Sequence, residues 1–427
     1  MSDVGRGLLK NISSVLITKV IVLLLGLVGT ILIARGLGVE GRGIYAALLV
    51  YPSLLIALTE GGMRQAAMHY IGKNKAPDAE IIGTLFTYTL IAGIGGYFAV
   101  YWLQFQFGQD QFTQVMMLVA AAMLPATLAV NAIKGVFLGK ERIKQFNKAS
   151  WVQKILFVFI ISVFYFSGNL NVTTAIFATL GAAVFNLFQA LLFLRNSNTL
   201  SFKFSVQTFF PMFKIGLVYA LAFFFITANY RIDILLLSWL SNPVEIGQYA
   251  LAVQLGELMW QLPGAVLIVL MSKTANSHDK SIINDVVKTT RITFFLMLLS
   301  ALPFIGFCYF LITPVFGIEF AGSFEIILFL LPGLIVASVF KTINAYFAGQ
   351  GKPHVTIYLM GGVAGLNVSL NYALIPIYGA IGAGVATTIS YIVSALGCCL
   401  LMSRYEDVGI KSLIIPSISD IQFFRNN

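Results

Sequence analysis

Charged side chains are scarce in this sequence. Only 10% of its 427 residues are Asp, Glu, Lys or Arg, and 58% are hydrophobic, whereas soluble domains average roughly 25% charged and 45–50% apolar residues. The mean hydropathy of the chain is +0.88. This composition excludes a soluble globular domain and indicates a protein that lies in the membrane along its whole length.

Cysteine and histidine are also rare, with three of each. Cys308, Cys398 and Cys399 fall inside apolar runs, which argues against a disulfide framework, and they lack the CxxC-like spacing of a zinc site. The sequence contains no HExxH, GxSxG, Walker A or EF-hand motif. We therefore predict a non-enzymatic protein without a metal site or other cofactor.

The chain has instead a series of long apolar runs. A helix needs about 20 mostly apolar residues to cross a bilayer, and about twelve runs meet this criterion. They lie near residues 12–37, 44–71, 81–103, 114–138, 146–167, 172–194, 210–239, 246–271, 291–313, 323–347, 355–377 and 380–402.

The segments between these runs set the predicted orientation. If the N-terminus is cytoplasmic, nineteen of the 27 Lys and Arg residues lie in cytoplasmic segments or at the cytoplasmic ends of runs, and six are counted as in-span charges. Only Arg35 and Arg42 lie in outer loops or at the outer end of a run. This distribution obeys the positive-inside rule. We therefore predict an all-α integral membrane protein with both termini in the cytoplasm, and we attribute its net charge of +10 to this bias rather than to nucleic-acid binding.

The predicted outer loops are short. A typical one is the connector QFQFGQDQFTQ, residues 104–114. A membrane polysaccharide polymerase would need a sizeable external loop around its acceptor, together with an acid–base pair. The sequence therefore disfavours a polymerase.

Two copies of one pattern occur along the chain. The motif VEGRGIYA at residues 39–46 recurs as VEIGQYA at residues 244–250. Lys134 and Lys341 are 207 positions apart, and each follows a Leu-Pro pair at the same spacing. These matches place about six spans in each half of the chain.

An even number of spans means that both halves enter the membrane in the same direction. Such parallel repeats are typical of transporters that open alternately to either side of the membrane. We predict two six-helix lobes, residues 1–200 and residues 201–427.

Three stretches resemble a known family. They are ARGLGVEGRGIYAALLVYPSLLIAL (residues 34–58), RIDILLLSWLSNPVEIGQYALA (231–252) and GLNVSLNYALIPIYGAIGAGVATTISY (365–391). They are similar to the polysaccharide flippases of the Wzx type, in the multidrug/oligosaccharidyl-lipid/polysaccharide exporter superfamily. The resemblance covers essentially the whole chain in its length, span count and two-lobe repeat.

The resemblance implies a MATE-like fold of two six-helix bundles around a central cavity. It also implies a flippase of the bacterial inner membrane that moves a polyprenyl-diphosphate-linked oligosaccharide, an O-antigen unit or similar, from the cytoplasmic to the periplasmic leaflet. The expected partners are this cargo, membrane lipids, and the polysaccharide polymerase and chain-length machinery. A small-molecule antiporter of the same superfamily is the alternative.

Charges within the spans are the candidates for function, because each one costs at least about 2.5–3.5 kcal/mol at a helix centre. Cations outnumber anions, which favours an anionic cargo such as a diphosphate. The in-span cations are Lys19, Arg64, Lys134, Lys154, Arg231 and Lys341, and the anions are Glu60, Asp233 and Glu257.

Each of these charges also has a structural interpretation. Several of the lysines and arginines lie near a predicted cytoplasmic end and can extend to lipid headgroups. Glu60 and Arg64 are four positions apart, so they can form a local pair. We expect Lys19, Arg64, Lys134, Arg231 and Lys341 to line the cargo path, and Glu60, Asp233 and Glu257 to carry a coupling ion or pair helices.

Arg231 and Asp233 are two positions apart in ITANYRIDILLLSWL. On a helix they point about 200° apart, so they cannot form a salt bridge with each other. We predict that Arg231 meets the cargo diphosphate, and that Asp233 either anchors its helix or binds the coupling ion.

Asn367 and Asn371 share one face of the eleventh span, since they are four positions apart. Their amides need partners within hydrocarbon, so this face should point inward. They can bond to a neighbouring helix or line the path of the glycan. No nucleotide-binding motif is present, which leaves a proton or sodium gradient, or downhill flux, as the energy source.

Overall fold

The computed structural model describes residues 3–108, 111–195, 203–275, 281–350, 352 and 354–415. Within these ranges all regular structure is helical, as hydrocarbon requires of a chain whose backbone groups must be satisfied within each segment. The helices are α1 Asp3–Thr59, α2 Met63–Gly72, α3 Asp78–Gly108, α4 Gln114–Gly139, α5 Ile143–Phe166, α6 Val172–Arg195, α7 Val206–Leu240, α8 Pro243–Met259, α9 Gln261–Ala275, α10 Ser281–Leu311, α11 Gly322–Gly349, α12 His354–Glu406 and α13 Ile410–Ile414. A π-helical turn at Ile312–Phe316 and a 3₁₀ turn at Ile318–Phe320 join α10 to α11.

Nine helical segments of the described chain are long and apolar enough to cross a membrane. The helices α1 and α12, with 57 and 53 residues, are each long enough for two crossings. Each is kinked at a glycine with a left-handed backbone, Gly38 (φ 68°) and Gly379 (φ 55°). Together α8 and α9 have the length of one further crossing, and counted in this way the helices give the twelve predicted spans.

The predicted outer loop containing Arg42 is reduced to a kink at Gly38, where the backbone is not helical. Arg42 lies in the helical segment that follows the kink, and its side chain is only 4% exposed. Gly38 makes the turn with a single residue because it can adopt a positive φ without a Cβ clash. The predicted second span, residues 44–71, is instead interrupted at Glu60, Gly61 and Gly62, where α1 ends and α2 begins.

The chain divides into two compact units, Met1–Phe224 and Phe225–Asn427. The sequence placed the boundary at residue 200, in the basic segment before α7. The helix α7 runs without interruption from Val206 to Leu240, and its first half belongs to the first unit. Gly216 of that half packs so closely on Gly61 and Gly62 that a Cβ at Gly62 would overlap the Gly216 carbonyl.

Each unit has one central helix. In the first unit α4 packs against α1, α2, α3, α5 and α6, and in the second α11 packs against α8, α9, α10 and α12. Lys134 lies on α4 and Lys341 lies on α11. The two repeat-related lysines therefore occupy the central helix of their respective units.

Candidate functional site

The buried carboxylate of Asp233 lies on the second half of α7 and is 2% exposed. It accepts three hydrogen bonds. The donors are the Tyr249 hydroxyl from α8 (2.9 Å), the Thr387 hydroxyl from α12 (2.8 Å) and the Asn371 amide, also from α12 (2.6 Å). A charged carboxylate gains about 1.5–3 kcal/mol from each such bond, so this network holds three segments of the second unit together.

Asn367 and Asn371 are both fully buried on the first half of α12. Besides its bond to Asp233, the Asn371 amide nitrogen lies 2.9 Å from the carbonyl oxygen of Asn367 and 3.1 Å from its side-chain oxygen. The shared face therefore bonds to α7. A role of these residues in the glycan path stays a prediction.

The network contains oxygen atoms that could hold a cation. Asn371 Oδ1 is buried and accepts no hydrogen bond from the described residues. Asn229, one turn before Asp233 on α7, is also fully buried, and neither atom of its amide has a partner in the described chain. Carboxylate, hydroxyl and amide oxygens are the ligands of hard cations, and the carboxylate alone can take a proton. The donor set around Asp233 thus fits Na⁺ or H⁺.

Arg231 pairs with Glu257 rather than with its neighbour Asp233. Its guanidinium nitrogen lies 3.2 Å from Glu257 Oε1, and the two side chains are 38% and 31% exposed. Where the exposed part of such a pair faces water, as on the wall of a cargo path, the pair contributes about 0–1 kcal/mol. Arg231 can therefore leave Glu257 for another anion at small cost, and its role at a diphosphate stays a prediction.

Lys341 rests on aromatic rings. Its ammonium lies 3.9 Å from the ring centroid of Trp260 and 5.1 Å from that of Tyr230. Tyr391 completes a ring cluster, with centroid distances of 5.0 to 6.1 Å between the three rings. The Trp260 indole N–H donates to the Leu334 carbonyl (3.2 Å), which fixes the ring. We call Tyr230, Trp260 and Tyr391 the aromatic seat.

Cation–π contacts of this kind are worth about 0.5–2 kcal/mol, whereas breaking a buried ion pair costs about 3–5 kcal/mol. The aromatic seat therefore holds a positive charge within a span, and no described carboxylate forms an ion pair with it. A small cavity of about 10 Å³ lies between the seat and the carboxylate, lined by Asp233, Tyr249, Glu257, Trp260 and Tyr391 among others. It has room for about one water molecule.

The first unit holds the second group of predicted residues. Arg64 Nε lies 2.6 Å from Glu60 Oε1, and the Asn131 amide lies 3.5 Å from Glu60 Oε2. The pair bridges the break between α1 and α2. Tyr88 donates to the carbonyl of Thr59 (3.0 Å), which the break would otherwise leave without a partner. The local pairing of Glu60 with Arg64 is thus present in the structure.

The remaining predicted cations are single charges. Lys19 is exposed on α1 and Lys134 is partly buried on α4. Neither forms an ion pair with a residue that the structure describes. Their contact with cargo stays a prediction. No cluster of three or more His, Cys, Asp or Glu side chains suited to a metal ion occurs in the described ranges.

Sequence reasoning missed Tyr249, Thr387 and the aromatic seat. A signal for Tyr249 was present, because it lies in the repeated motif VEIGQYA. The hydroxyl of its counterpart Tyr45, in VEGRGIYA, lies 2.9 Å from that of Thr179, just as the Tyr249 hydroxyl lies 3.0 Å from that of Thr387. The repeat therefore preserves a tyrosine–threonine pair in both units.

Comparisons with solved structures identify the fold. The lipid II flippase MurJ in an inward closed conformation matches with a TM-score of 0.76, at 16% identity over 96% of this chain and 91% of that chain. A multidrug resistance MATE family transporter of the MOP superfamily, in an inward-facing conformation, matches with a TM-score of 0.74, at 17% identity over 91% and 94%. The MATE multidrug transporter DinF-BH in complex with R6G matches with a TM-score of 0.67, at 14% identity over 95% and 96%. The predicted MATE-like architecture is confirmed.

One protein-family model matches the larger part of the sequence. Residues 8–271 match the model of a family described as polysaccharide biosynthesis protein. No curated protein sequence is similar enough to this chain to give a match. The match covers more than half of the 427 residues. It confirms, at the level of the family, the resemblance to polysaccharide flippases. The chain is a multi-pass membrane protein of the polysaccharide biosynthesis protein family, with the fold of the transporter structures that it matches.

Proposed function

We propose that this protein is a flippase for a polyprenyl-diphosphate-linked oligosaccharide, such as an O-antigen unit, and that it works by alternating access. The cargo would pass from the cytoplasmic to the periplasmic leaflet of a bacterial inner membrane. Membership in the polysaccharide biosynthesis family supports this cargo class. The transporter fold supports movement of a substrate rather than its chemical conversion.

The observation that carries the proposal is the position of Lys341. This lysine lies on the central helix of its unit, within a membrane span, and its ammonium contacts aromatic rings. An ammonium held this weakly is available to a phosphate oxygen, which offers a stronger, charge-assisted contact. A cationic drug would instead be repelled by it.

The cargo has three parts with different needs. Its polyprenyl tail can stay in lipid, its diphosphate cannot cross hydrocarbon unaided, and its glycan needs a wet path. In the proposed mechanism Lys341 and Arg231 accompany the diphosphate, with Lys19, Arg64 and Lys134 as further cations on its route. Arg231 exchanges Glu257 for the diphosphate when cargo arrives.

The energy source in the proposed mechanism is a gradient of Na⁺ or H⁺ that acts at Asp233. This assignment is supported by the buried carboxylate and by the Asn371 oxygen beside it, which accepts no hydrogen bond within the described ranges. Binding of the cation would change the bonds that Asp233 accepts from α8 and α12, and so the packing of three segments. Glu60 and Glu257 each already have an arginine partner in the structure, which makes them weaker candidates.

Deleting the gene and analysing the lipid-linked intermediates tests the function in cells. We expect complete repeat units to accumulate on the cytoplasmic face of the membrane. Accumulation of single units on the outer face would instead indicate a polymerase. Normal intermediates together with a loss of dye extrusion would indicate the small-molecule antiporter, and either result would overturn the proposal.

A further inference from the structure

A polar cavity lies at the start of α10, apart from the network around Asp233. Its volume is about 510 Å³, which is within the range of small-molecule sites. It lies entirely within the second unit. Its lining residues are Asn284, Val287, Lys288, Arg291, Asp407, Val408, Gly409 and Ser412.

One wall of the cavity is a face of α10. Asn284, Val287, Lys288 and Arg291 follow one another at intervals of three, one and three residues, so they lie on the same side of the helix. The opposite side of this helix end is in the core, where Val286 and Thr290 are fully buried. The two cations are thus directed to the cavity by the same periodicity that buries their neighbours.

The other wall is the segment between α12 and α13. Asp407 has a positive φ of 54°, which turns the chain back toward α10. The short helix α13 then packs on α10 through Leu413, which is fully buried in a core cluster with Ile282 and Val286. Because this wall is anchored in the core, the cavity has a defined shape.

The position of the cavity relative to the bilayer follows from the sequence of α10. Residues 292–311, which follow Arg291, contain no charged side chain, and this length matches the roughly 20 residues of one membrane crossing. Arg291 and Lys288 therefore lie at the level of the lipid headgroups. In the orientation that the positive-inside rule predicts, this is the cytoplasmic leaflet.

The cation-bearing face of α10 continues as an exposed apolar strip. Leu298 and Leu302 lie seven and eleven positions after Arg291, on the same face of the helix. Their side chains are 51% and 78% exposed. A molecule with a phosphate at Arg291 and an acyl chain along Leu298 and Leu302 would match both parts of this surface.

We propose that the cavity binds the headgroup of an anionic glycerophospholipid from the cytoplasmic leaflet. Arg291 and Lys288 bind the phosphate, since a guanidinium fork matches two phosphate oxygens. Asn284, Asp407 and Ser412 accept or donate hydrogen bonds to headgroup hydroxyls. The acyl chains extend along the apolar strip. The bound lipid joins α10 to α13 and stabilises this end of the second unit.

The test uses the purified full-length protein in detergent and its thermal unfolding midpoint. Phosphatidylglycerol in mixed micelles should raise the midpoint, whereas phosphatidylcholine or inorganic phosphate at equal concentration should not. In a Lys288→Ala/Arg291→Ala double variant the affinity for phosphatidylglycerol should fall roughly thirtyfold. The control is Lys144→Ala/Lys148→Ala, which removes the same charge from exposed positions on α5 and should retain the response.

A second variant keeps the test decisive if the double variant does not fold. Asp407→Asn removes the only acidic side chain among the cavity-lining residues that the structure describes, and asparagine tolerates a positive φ. We expect it to bind phosphatidylglycerol more tightly than the natural protein does. Equal stabilisation by inorganic phosphate would show a free-anion site, and equal stabilisation by phosphatidylcholine or an unchanged response of the variants would show no headgroup site. Each of these results would overturn the proposal.

Discussion

The hydroxyl of Tyr249 donates a hydrogen bond to Oδ2 of Asp233 over 2.9 Å. Thr387 lies 3.0 Å from the same hydroxyl and 2.8 Å from the same carboxylate oxygen, so the three groups form a closed triangle. In the first unit Tyr45 and Thr179 form the equivalent pair. The tyrosine–threonine pair is thus a feature of both units. In the second unit both hydroxyls also contact the carboxylate of Asp233, and this carboxylate makes that unit's pair part of a candidate cation site.

The response of the protein to cations should depend on Asp233. We expect Na⁺, or a change of pH, to shift the thermal unfolding midpoint of the purified protein, because a ligand that binds only the folded state stabilises it. In Asp233→Asn this response should be lost. Glu325→Gln, which changes an exposed carboxylate on α11, is the control and should respond normally. A full response in Asp233→Asn would show that the cation binds at another site.

Lys341 should determine the affinity for diphosphate. Titration with geranylgeranyl diphosphate, with geranylgeraniol as the phosphate-free reference, should give binding roughly tenfold to a hundredfold weaker in Lys341→Ala, as expected for one charge-assisted bond. Trp260→Leu removes the main ring of the seat but keeps the charge, so its affinity should stay close to that of the natural protein.

The control for Lys341 is Lys352, whose ammonium lies 5.9 Å from the ring centroid of Tyr405. Lys352→Ala breaks a cation–π contact outside the candidate site and should bind diphosphate normally. If Lys341→Ala binds as tightly as Lys352→Ala does, the cargo diphosphate does not contact Lys341.

Arg231 and Glu257 should show weak coupling in a double-mutant cycle. Their exposure limits the interaction to about 1 kcal/mol or less in the free energy of unfolding. Transport should respond differently, because Arg231→Ala removes a cation from the proposed cargo path and Glu257→Ala does not. If the Arg231→Ala protein inserts stably and flips cargo at the normal rate, Arg231 has no role in the mechanism.

The break between α1 and α2 should not tolerate a side chain at Gly62. Gly62→Ala places a Cβ on a residue with φ of 61° and into the backbone of Gly216. The left-handed conformation alone costs about 1–2 kcal/mol, so we expect at least about 2 kcal/mol of destabilisation in thermal unfolding. The control is Gly72→Ala at the last residue of α2, where a Cβ meets no atom within 4 Å. Equal midpoints for the two variants would contradict the packing described.

Much of the fold could be predicted from the sequence, because a membrane span is a property of local composition. The helices α3, α4, α5 and α6 begin and end within a few residues of the predicted runs. The sequence could not show that the turn at Gly38 takes a single non-helical residue, since the polar residues around it are typical of a longer loop. The burial of Arg42 depends on packing and is seen only in the structure.

The site was predicted in part. A charge inside an apolar run is visible in the sequence, and so are the helical periods that separate Arg231 from Asp233 and bring Asn367 next to Asn371. The partners of these groups come from distant parts of the chain. Thr387 lies 154 positions after Asp233, and Trp260 lies 81 positions before Lys341. The periodicity of one helix shows which of its residues share a face, but it does not show which distant residues of the chain contact that face.

The most direct measurement is flipping of a fluorescent polyprenyl-diphosphate oligosaccharide by the purified protein in sealed proteoliposomes. Transfer between leaflets should be fast in the presence of a Na⁺ or H⁺ gradient, should slow when both gradients are collapsed, and should slow likewise in Lys341→Ala. An unchanged rate after collapse of both gradients would contradict ion coupling through Asp233. Liposomes with the natural protein that flip no faster than empty liposomes would contradict the proposed function itself.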